Sequence, residues 1–234
     1  MKMEIYRADS RGGANHGWLL TRHTFSFANY YDPKRIHFGA LRVVNDDTVA
    51  PGEGFDMHPH NDMEIVSIPL EGTLEHRDSM GNVSVISKGE VQVMSAGTGI
   101  LHSEYNYSDT DLVKFLQIWV FTRQKDLTPR YSQVKIHQPE PGEIELIVAP
   151  EGQEHVAWIH QDAWFSLANV PAGGEVAYEL HKPGNGVFMF VIEGAVSVGG
   201  ERFDHRDGVG ITDAERFTLA GDKASQILLM EVPM

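Results

Sequence analysis

Short stretches of alternating apolar and polar residues, separated by turn-forming residues, run through most of the chain. Segments such as 64–70, 83–86 and 91–94 carry the period-two pattern or the short apolar run that is typical of a β-strand. Glycine, proline, asparagine and aspartate interrupt these segments about every 8–12 residues, and helical periodicity is weak. The pattern therefore predicts an all-β protein built as a sandwich or a barrel.

The first fifty residues and the middle of the chain depart from this regular spacing. Strands are expected over 23–27 and 38–44, and the polar run 45–47 is expected to end the second of them. Residues 122–142 contain several prolines and a glycine, which predicts a connector between two halves.

The second half repeats the strand pattern of the first half. Segment 188–198 resembles segment 66–76, and aligning Gly194 with Gly72 gives an offset of 122 residues. At this offset the ligand-type residues of the first half fall on other types: His58, His60 and Glu64 on Leu180, Lys182 and Gly186. His181 is one position out of phase, so it would face the opposite side of a strand. The repeat predicts two similar β-domains, of which only the first is equipped for chemistry.

Two short motifs in the first half place ligand-type side chains two residues apart: His58-Pro59-His60 and His102-Ser103-Glu104. Residues two apart on a strand project from the same face. Two such strands facing each other would offer three imidazoles and one carboxylate, which suits a divalent transition metal with an open coordination position. The chain has 12 histidines and no cysteine, which favours nitrogen and oxygen ligands over thiolates.

The spacing alone leaves the fourth ligand open. Glu64 shares the parity of His60, but on a straight strand it would lie roughly 13 Å away, so it could return to the site only through a turn. Glu104 needs no turn, because it lies beside His102 on the same face. In the alternative role, Glu64 orients one of the histidines from outside the metal shell. Asn106, next on the face of Glu104, either hydrogen-bonds the site or caps a turn.

Several aromatic positions have two interpretations. Phe115, Gln117 and Trp119 share one strand face, and they form either barrel core or an apolar pocket wall with one polar anchor. The same alternatives hold for four more side chains: Phe25, Phe27, Phe55 and Met63.

Charge and composition exclude several classes of function. The formal net charge is −14, from 19 Lys and Arg against 33 Asp and Glu, and no basic cluster is present. Direct binding to nucleic acid or to anionic membranes is therefore not expected. The sequence has no run of 18 apolar residues and no secretory leader pattern, so we expect a cytoplasmic protein. The absence of cysteine excludes disulfides and thiolate chemistry.

The combined spacing resembles the two-part cupin signature, in which His-x-His and a glutamate precede a second motif with a histidine and an asparagine. The chain departs from that signature at some positions; for example, Ser95 stands where cupins usually have proline. In these departures it resembles the pirin branch of the cupins. Within this branch, the sequence most resembles the bacterial pirin-like quercetin 2,3-dioxygenases. The segments that carry this resemblance are 23–33, 38–47, 58–60, 78–82 and 95–104.

This resemblance implies a bicupin, an all-β chain of two antiparallel jelly-roll β-barrel domains. Residues 1–137 would form an N-terminal metal-binding cupin barrel, and residues 138–234 a C-terminal cupin barrel lacking metal ligands. The resemblance selects Glu104 over Glu64 as the fourth ligand. The implied metal ligands are then His58, His60, His102 and Glu104. The implied cofactor is one divalent transition metal, with Fe(II) favoured and Zn, Mn, Cu, Ni or Co as alternatives.

The resemblance also implies an activity. A metal-dependent dioxygenase of the quercetin 2,3-dioxygenase type would open the ring of a flavonol, or of a similar small aromatic enol, with O2. Glu104 would serve as the catalytic base in addition to its role as a ligand. The alternative is a non-catalytic metal-binding pirin that regulates a protein partner, either a transcription factor or a metabolic enzyme. A metal-dependent isomerase is a third hypothesis. We expect a monomer.

Overall fold

The structure, a computed structural model, describes residues 1–151 and 154–234. Almost all of its regular structure is β-strand, which confirms the predicted all-β class. One short 3-10 helix, Ala8–Ser10, precedes the second strand. In the described part of the chain, no helix is long and apolar enough to cross a membrane.

The strands are numbered along the chain. The first twelve are β1 (Lys2–Tyr6), β2 (Gly12–Asn15), β3 (Leu19–His23), β4 (Leu41–Val49), β5 (Gly54–His60), β6 (Met63–Glu71), β7 (Thr73–Asp78), β8 (Val83–Ser87), β9 (Glu90–Ser95), β10 (Ile100–Asn106), β11 (Val113–Phe121) and β12 (Arg130–Lys135). The remaining strands are β13 (Ile144–Ala149), β14 (Ala157–Trp158), β15 (Trp164–Val170), β16 (Glu175–Glu179), β17 (Gly186–Glu193), β18 (Ala195–Val198), β19 (Glu201–Asp204), β20 (Gly208–Thr212), β21 (Arg216–Gly221) and β22 (Ser225–Val232).

These strands form two barrels, each made of one large and one small sheet. The first barrel combines the seven-stranded sheet β12-β9-β6-β11-β4-β3-β2 with the four-stranded sheet β5-β10-β7-β8. The second combines β1-β20-β17-β22-β15-β13-β14 with β16-β21-β18-β19. Neighbouring strands are antiparallel except at the short β13–β14 pair. This arrangement agrees with the predicted bicupin.

Both ends of the chain cross to the opposite barrel. Strand β1 pairs with β20 over its whole length, and the backbone N–H of Ala40 donates to the carbonyl oxygen of Pro233 at 2.8 Å. The domain boundary between residues 137 and 138 stays a prediction. That prediction did not include these contacts of the two chain ends with the opposite barrel.

The two seven-stranded sheets pack face to face and share one apolar core. Phe25 and Leu116 of the first half lie in the same buried cluster as Phe165, Phe188 and Leu228 of the second half. A shared core of this kind makes the two barrels a single packed unit, unlike domains joined by a polar interface. Phe25 therefore belongs to the contact between the barrels and not to a pocket.

The repeat in the sequence corresponds to the same turn in each barrel. Gly72 joins β6 to β7 with φ +75°, and Gly194 joins β17 to β18 with φ +86°. A Cβ atom at Gly72 would lie 2.6 Å from the carbonyl oxygen of Leu112, and one at Gly194 would lie 2.3 Å from that of Ala224. Only glycine fits both the conformation and the space at these two turns.

The interior of the first barrel has apolar ends and a polar middle. Phe115 packs at one end with Leu19 and Val49, whereas Trp119 packs at the other end against the cluster that contains Ile65. Between the two ends, five buried polar side chains lie directly opposite one another on neighbouring strands. This polar belt consists of His23 (β3), Asn45 (β4), Gln117 (β11), Ser67 (β6) and Gln92 (β9).

Two predicted strand boundaries in the first fifty residues are wrong. The expected strand over 23–27 ends at His23, and Phe27 makes only an isolated bridge with Tyr30. The polar run 45–47, expected to end a strand, lies inside β4. Asn45 and Asp47 face the interior of the first barrel, on the same side of the strand as the polar belt. Asp46 faces the opposite side of the strand. Asn45 and Asp47 are buried and Asp46 is half-buried, and all three continue the strand instead of forming a turn.

Glu64 does not orient a histidine of the cluster, contrary to the alternative considered above. It is 1% exposed on the face of β6 that packs toward the second barrel. Its Oε2 accepts hydrogen bonds from Ser95 Oγ at 2.7 Å and from the His160 backbone N–H at 3.3 Å. Burial raises the pKa of Glu64 to about 7, although these two donors and the nearby Arg130 guanidinium oppose the shift.

We expect Glu64→Gln to stabilise the protein above pH 7. The folded-state pKa near 7 exceeds the unfolded value near 4.5, so folding takes up a proton between these values and stability falls as pH rises through them. Glutamine removes the buried charge, and the free energy of unfolding at pH 8 should rise by about 2 kcal/mol. Urea denaturation from pH 5 to pH 8 measures this, with the exposed Glu193→Gln as a control. An unchanged pH dependence would contradict the prediction.

Candidate metal centre

Three neighbouring strands of the small sheet direct ligand-type side chains to the inside of the first barrel. Strand β10 lies between β5 and β7, and each of the three carries a pair two residues apart. His102 is paired with His58 on one side and with Asp78 on the other, while Glu104 is paired with His76. The three pairs are His58 and His60, His102 and Glu104, and His76 and Asp78.

Three of the four predicted ligands come together in one cluster. The ring centroids of His58 and His102 are 4.5 Å apart, and His60 is 4.9 Å from each of the other two rings. One ring nitrogen of each histidine lies within 4.8 Å of the others. The two motifs therefore do meet, and this histidine cluster can bind a metal ion. The assignment of each residue as a ligand stays a prediction.

The protonation states and hydrogen bonds of these histidines fit a divalent ion. Burial, followed by the neighbouring imidazoles, lowers the pKa of both His60 and His102 to about 3, so these rings are neutral at physiological pH. His58 Nδ1 donates to the Asp56 carbonyl oxygen at 2.6 Å, which leaves Nε2 free as a ligand. Both ring nitrogens of His102 are buried without a hydrogen-bond partner. A metal ion would satisfy one of them, which otherwise carries a desolvation penalty.

The β5–β10 pairing contains a bulge between His102 and Glu104. His102 pairs with His58, but Glu104 pairs with Phe55, so β5 holds one extra residue there. Gly54 allows the close approach of the strands, since a Cβ would lie 2.3 Å from the Glu104 carbonyl oxygen. A carboxylate oxygen of Glu104 instead lies within 4.8 Å of ligand atoms of His102 and His76. The four predicted ligands thus fall into two overlapping groups that share His102.

Three members of the polar belt hold the Glu104 carboxylate in place. Oε1 accepts from Ser67 Oγ at 2.9 Å and from Gln92 Nε2 at 3.4 Å, and Oε2 accepts from Gln117 Nε2 at 2.5 Å. Gln117 is therefore the polar anchor that the sequence left as one of two alternatives. Three donors fix the orientation of a carboxylate that is 1% exposed.

His76 is the residue at this site that the sequence analysis missed. Its Nε2 lies 3.0 Å from Asp78 Oδ2, and its ring stacks on Tyr131 with centroids 4.6 Å apart. Its Nδ1 is buried without a partner. A carboxylate that holds one nitrogen of a histidine while the other faces a site is the arrangement that supports metal ligands. The His-x-Asp spacing on a strand was the available signal.

We expect His76→Phe to weaken metal binding by roughly 10–100-fold, the usual effect of losing an outer partner of a metal site. Phenylalanine keeps the stacking on Tyr131 and removes the nitrogens that face His102 and Glu104. Competition with a chelator measures the affinity, and thermal melting of the metal-free variant checks the fold. Tyr131→Phe is the control that keeps the stack and His76. An affinity equal to that of the unaltered protein would contradict this role for His76.

The remaining candidates have structural or pocket roles. Asn106 caps a loop, because its Nδ2 donates to three backbone carbonyls and its Oδ1 accepts from the Ser108 N–H. Phe115 is core, whereas Phe27, Phe55 and Trp119 line a cavity of about 390 Å³ that also reaches His58, His60 and Glu104. Met63 packs beside the apolar cluster near Trp119.

The second barrel uses its histidine differently. His181 Nδ1 lies 3.1 Å from Glu231 Oε2, and its ring stacks on Trp164. Glu231 also accepts hydrogen bonds from Tyr178 and Asn185. Among residues 1–151 and 154–234, both groups of three ligand-type side chains close enough to hold an ion lie in the first barrel.

The sequence and the fold match known families along nearly the whole chain. A family model described as Pirin matches residues 5–120, and one described as Quercetinase C-terminal cupin domain matches residues 146–232. A protein named Quercetin 2,3-dioxygenase from Escherichia coli (strain K12) is 42% identical over 98% of both chains. A pirin-like protein from Caulobacter vibrioides is 37% identical over 95% of this chain and 96% of its own length.

A solved structure supports the same relationship. The bacterial pirin YhhW from Escherichia coli, in complex with nickel(II), superposes with a TM-score of 0.93. It is 40% identical in sequence, and the match covers 99% of each chain. The fold, the identity to these relatives and the family matches agree, and the chain belongs to the pirin family of the cupin superfamily.

Proposed function

We propose that the protein is a metal-dependent dioxygenase that opens the ring of a flavonol with O2. The observation that carries this proposal is a cluster of three histidines, of which His60 and His102 are buried and neutral, that borders an aromatic-lined cavity. Relatives that bear the name quercetin 2,3-dioxygenase, at 42% identity over the full length, favour this chemistry.

In this proposal His58, His60, His102 and Glu104 hold one divalent ion. Neutral imidazoles and one carboxylate suit the later first-row metals, and we favour Fe(II) because the reaction uses O2. Zn, Mn, Cu, Ni and Co remain alternatives for the same ligand set. When bound, such an ion supplies positive charge that lowers the pKa of a substrate hydroxyl and stabilises the anion.

The side chains around the site would bind the substrate and accept its proton. Glu104 takes the hydroxyl proton on Oε2. Oε2 is the freer of the two carboxylate oxygens, because it accepts one hydrogen bond whereas Oε1 accepts two. The edge-to-face pair of Phe27 and Trp119, with centroids 5.3 Å apart, orients a flat ring beside His60. The apolar walls of this partly open cavity would limit the access of bulk water to the activated substrate.

Anaerobic loading of the purified protein with Fe(II), followed by quercetin and air, tests this proposal. We expect equimolar consumption of O2 and quercetin and release of carbon monoxide. The same assay with the other five metals identifies the one that supports the fastest turnover. Absence of turnover with every metal would contradict the dioxygenase proposal and leave the protein-partner alternative as the better account.

A further inference from the structure

The cavity beside the histidine cluster has a second polar wall, formed by the seven-stranded sheet of the first barrel. Its volume of about 390 Å³ is that of a small-molecule site. His58, His60 and Glu104 border it on one side. The other side is formed by four polar side chains of two adjacent strands: Thr21 and His23 on β3, and Asn45 and Asp47 on β4.

His23 presents a hydrogen-bond acceptor at this wall. Its Nδ1 lies 2.9 Å from Asn45 Oδ1, and an amide oxygen only accepts, so Nδ1 carries the proton and Nε2 keeps a lone pair. Burial lowers the pKa of His23, although its bond to Asn45 opposes the shift. The ring is therefore neutral at physiological pH.

Asp47 presents a second acceptor and has few partners of its own. It is 3% exposed, and its Oδ1 has no hydrogen-bond partner. Within the described residues, no cationic side chain lies within 4.0 Å of its carboxylate. The next residue along the strand shows the contrast: Asp46 faces outward and pairs with Arg11 at 3.3 Å and Arg206 at 3.7 Å.

Thr21 hydrogen-bonds the Asp47 carboxyl group, but a buried carboxyl oxygen without a partner still costs stability, so the unpaired Oδ1 calls for a reason other than stability. Burial raises the pKa of Asp47 to about 7. A ligand hydroxyl would give Asp47 Oδ1 the hydrogen bond that it lacks within the protein. His23 Nε2 is an acceptor, and Asp47 offers an acceptor oxygen in both its ionised and its protonated form, so the matching ligand groups are donors. A phenolic hydroxyl is a donor that an aromatic-lined cavity admits.

His23, at one edge of this wall, also lies well apart from Gln117, the side chain that donates to Glu104. His23 and Gln117 lie in one register row on strands separated by β4, so they are two strand spacings, roughly 10 Å, apart. Gln117 hydrogen-bonds Glu104 directly. A single six-membered ring does not span this distance, whereas a fused bicyclic system with a pendant ring does.

We propose that His23 and Asp47 form a hydroxyl-recognition subsite, which selects flat aromatic ligands that carry phenolic hydroxyls at the end that reaches β3 and β4. This inference rests on the proposed function for the orientation of the ligand. It can be tested through binding alone, without turnover.

The test compares three flavonols that differ only in the pendant ring: quercetin with two hydroxyls, kaempferol with one and galangin with none. Calorimetric titration of the zinc-loaded protein under argon gives their affinities. We expect quercetin to bind at least about tenfold more tightly than galangin, the effect of one or two satisfied hydrogen bonds. Asp47→Asn and His23→Phe should each bring quercetin toward the affinity of galangin and leave galangin itself within about twofold.

Asp46→Asn is the matched control, since it makes the same change one residue away on the opposite face, and it should keep the preference for quercetin. Equal affinity for quercetin and galangin in the unaltered protein, or binding of no flavonol, would overturn the subsite. The subsite would also be overturned if Asp47→Asn and His23→Phe both fold and both keep the full preference for quercetin over galangin. Binding of quercetin that depends on Asp47, without turnover by any metal form, would uphold the subsite and contradict the dioxygenase proposal.

Discussion

Replacing His102 by leucine is expected to abolish tight metal binding and flavonol turnover while stabilising the metal-free protein. His102 belongs to both groups of ligand-type side chains, so its loss leaves neither group with three members. Turnover should fall roughly a thousandfold or more, because a bound ion contributes several kcal/mol of charge stabilisation. The metal-free variant should gain about 1 kcal/mol, since two buried ring nitrogens without partners are removed.

Metal content after dialysis, oxygen uptake and urea denaturation of the metal-free proteins measure these three effects. His205→Leu is the matched control, because His205 is an exposed histidine of the second barrel, and it should keep both metal and activity. One equivalent of tightly held metal in His102→Leu would contradict the assignment of the centre to this cluster.

The second large effect is expected for Glu104→Gln. If Glu104 accepts the substrate proton, kcat should fall by about 10²–10⁴-fold, the usual contribution of a general base. Metal should still bind, although more weakly, because the three imidazoles remain. A neutral amide also cannot accept hydrogen bonds at both positions that Ser67 and Gln117 now supply.

Steady-state kinetics together with metal content per chain separate the two roles of Glu104. Glu64→Gln makes the same substitution at a buried site on the outer side of the barrel wall, and it should leave kcat unchanged. A Glu104→Gln variant with full metal and full kcat would exclude the base. Complete loss of metal would show that the carboxylate is needed chiefly to hold the ion.

The part of the site that could be predicted depends on local spacing. A strand projects alternate residues to one face, so His58 with His60, and His102 with Glu104, had to share their faces. Gly72 and Gly194 marked the same turn in each half because that turn admits no Cβ.

The face of β6 on which Glu64 lies could not be predicted, because it depends on the turn between β5 and β6. Asp62 takes a left-handed conformation there, with φ +46°. The turn resets the alternation, so Glu64 faces the second barrel while the next residue, Ile65, faces the interior. Counting residues across a turn does not reveal this change of face.

Polar residues inside a strand misled the sequence analysis for a related reason. Asn45, Asp46 and Asp47 look like a turn because such residues favour turns in water. In the folded protein Asn45 bonds His23, Asp46 bonds Arg11, and Asp47 borders the cavity. These partners come from distant segments, so nothing in the local sequence reveals them.

Long-range pairing also hid one strand of each barrel. The predicted connector over 122–142 contains β12, which pairs with β9 and places Tyr131 against His76. The N-terminal strand β1 pairs with β20, about two hundred positions away in the chain. Local propensity identifies a strand but does not identify its partner.

Anomalous diffraction from crystals of the nickel- or zinc-loaded protein tests the central claim most directly. We predict one ion per chain inside the first barrel, at about 2.0–2.2 Å from a ring nitrogen of each of His58, His60 and His102. A strongest peak in the second barrel, or a loaded protein with no ion at the histidine cluster, would contradict this account.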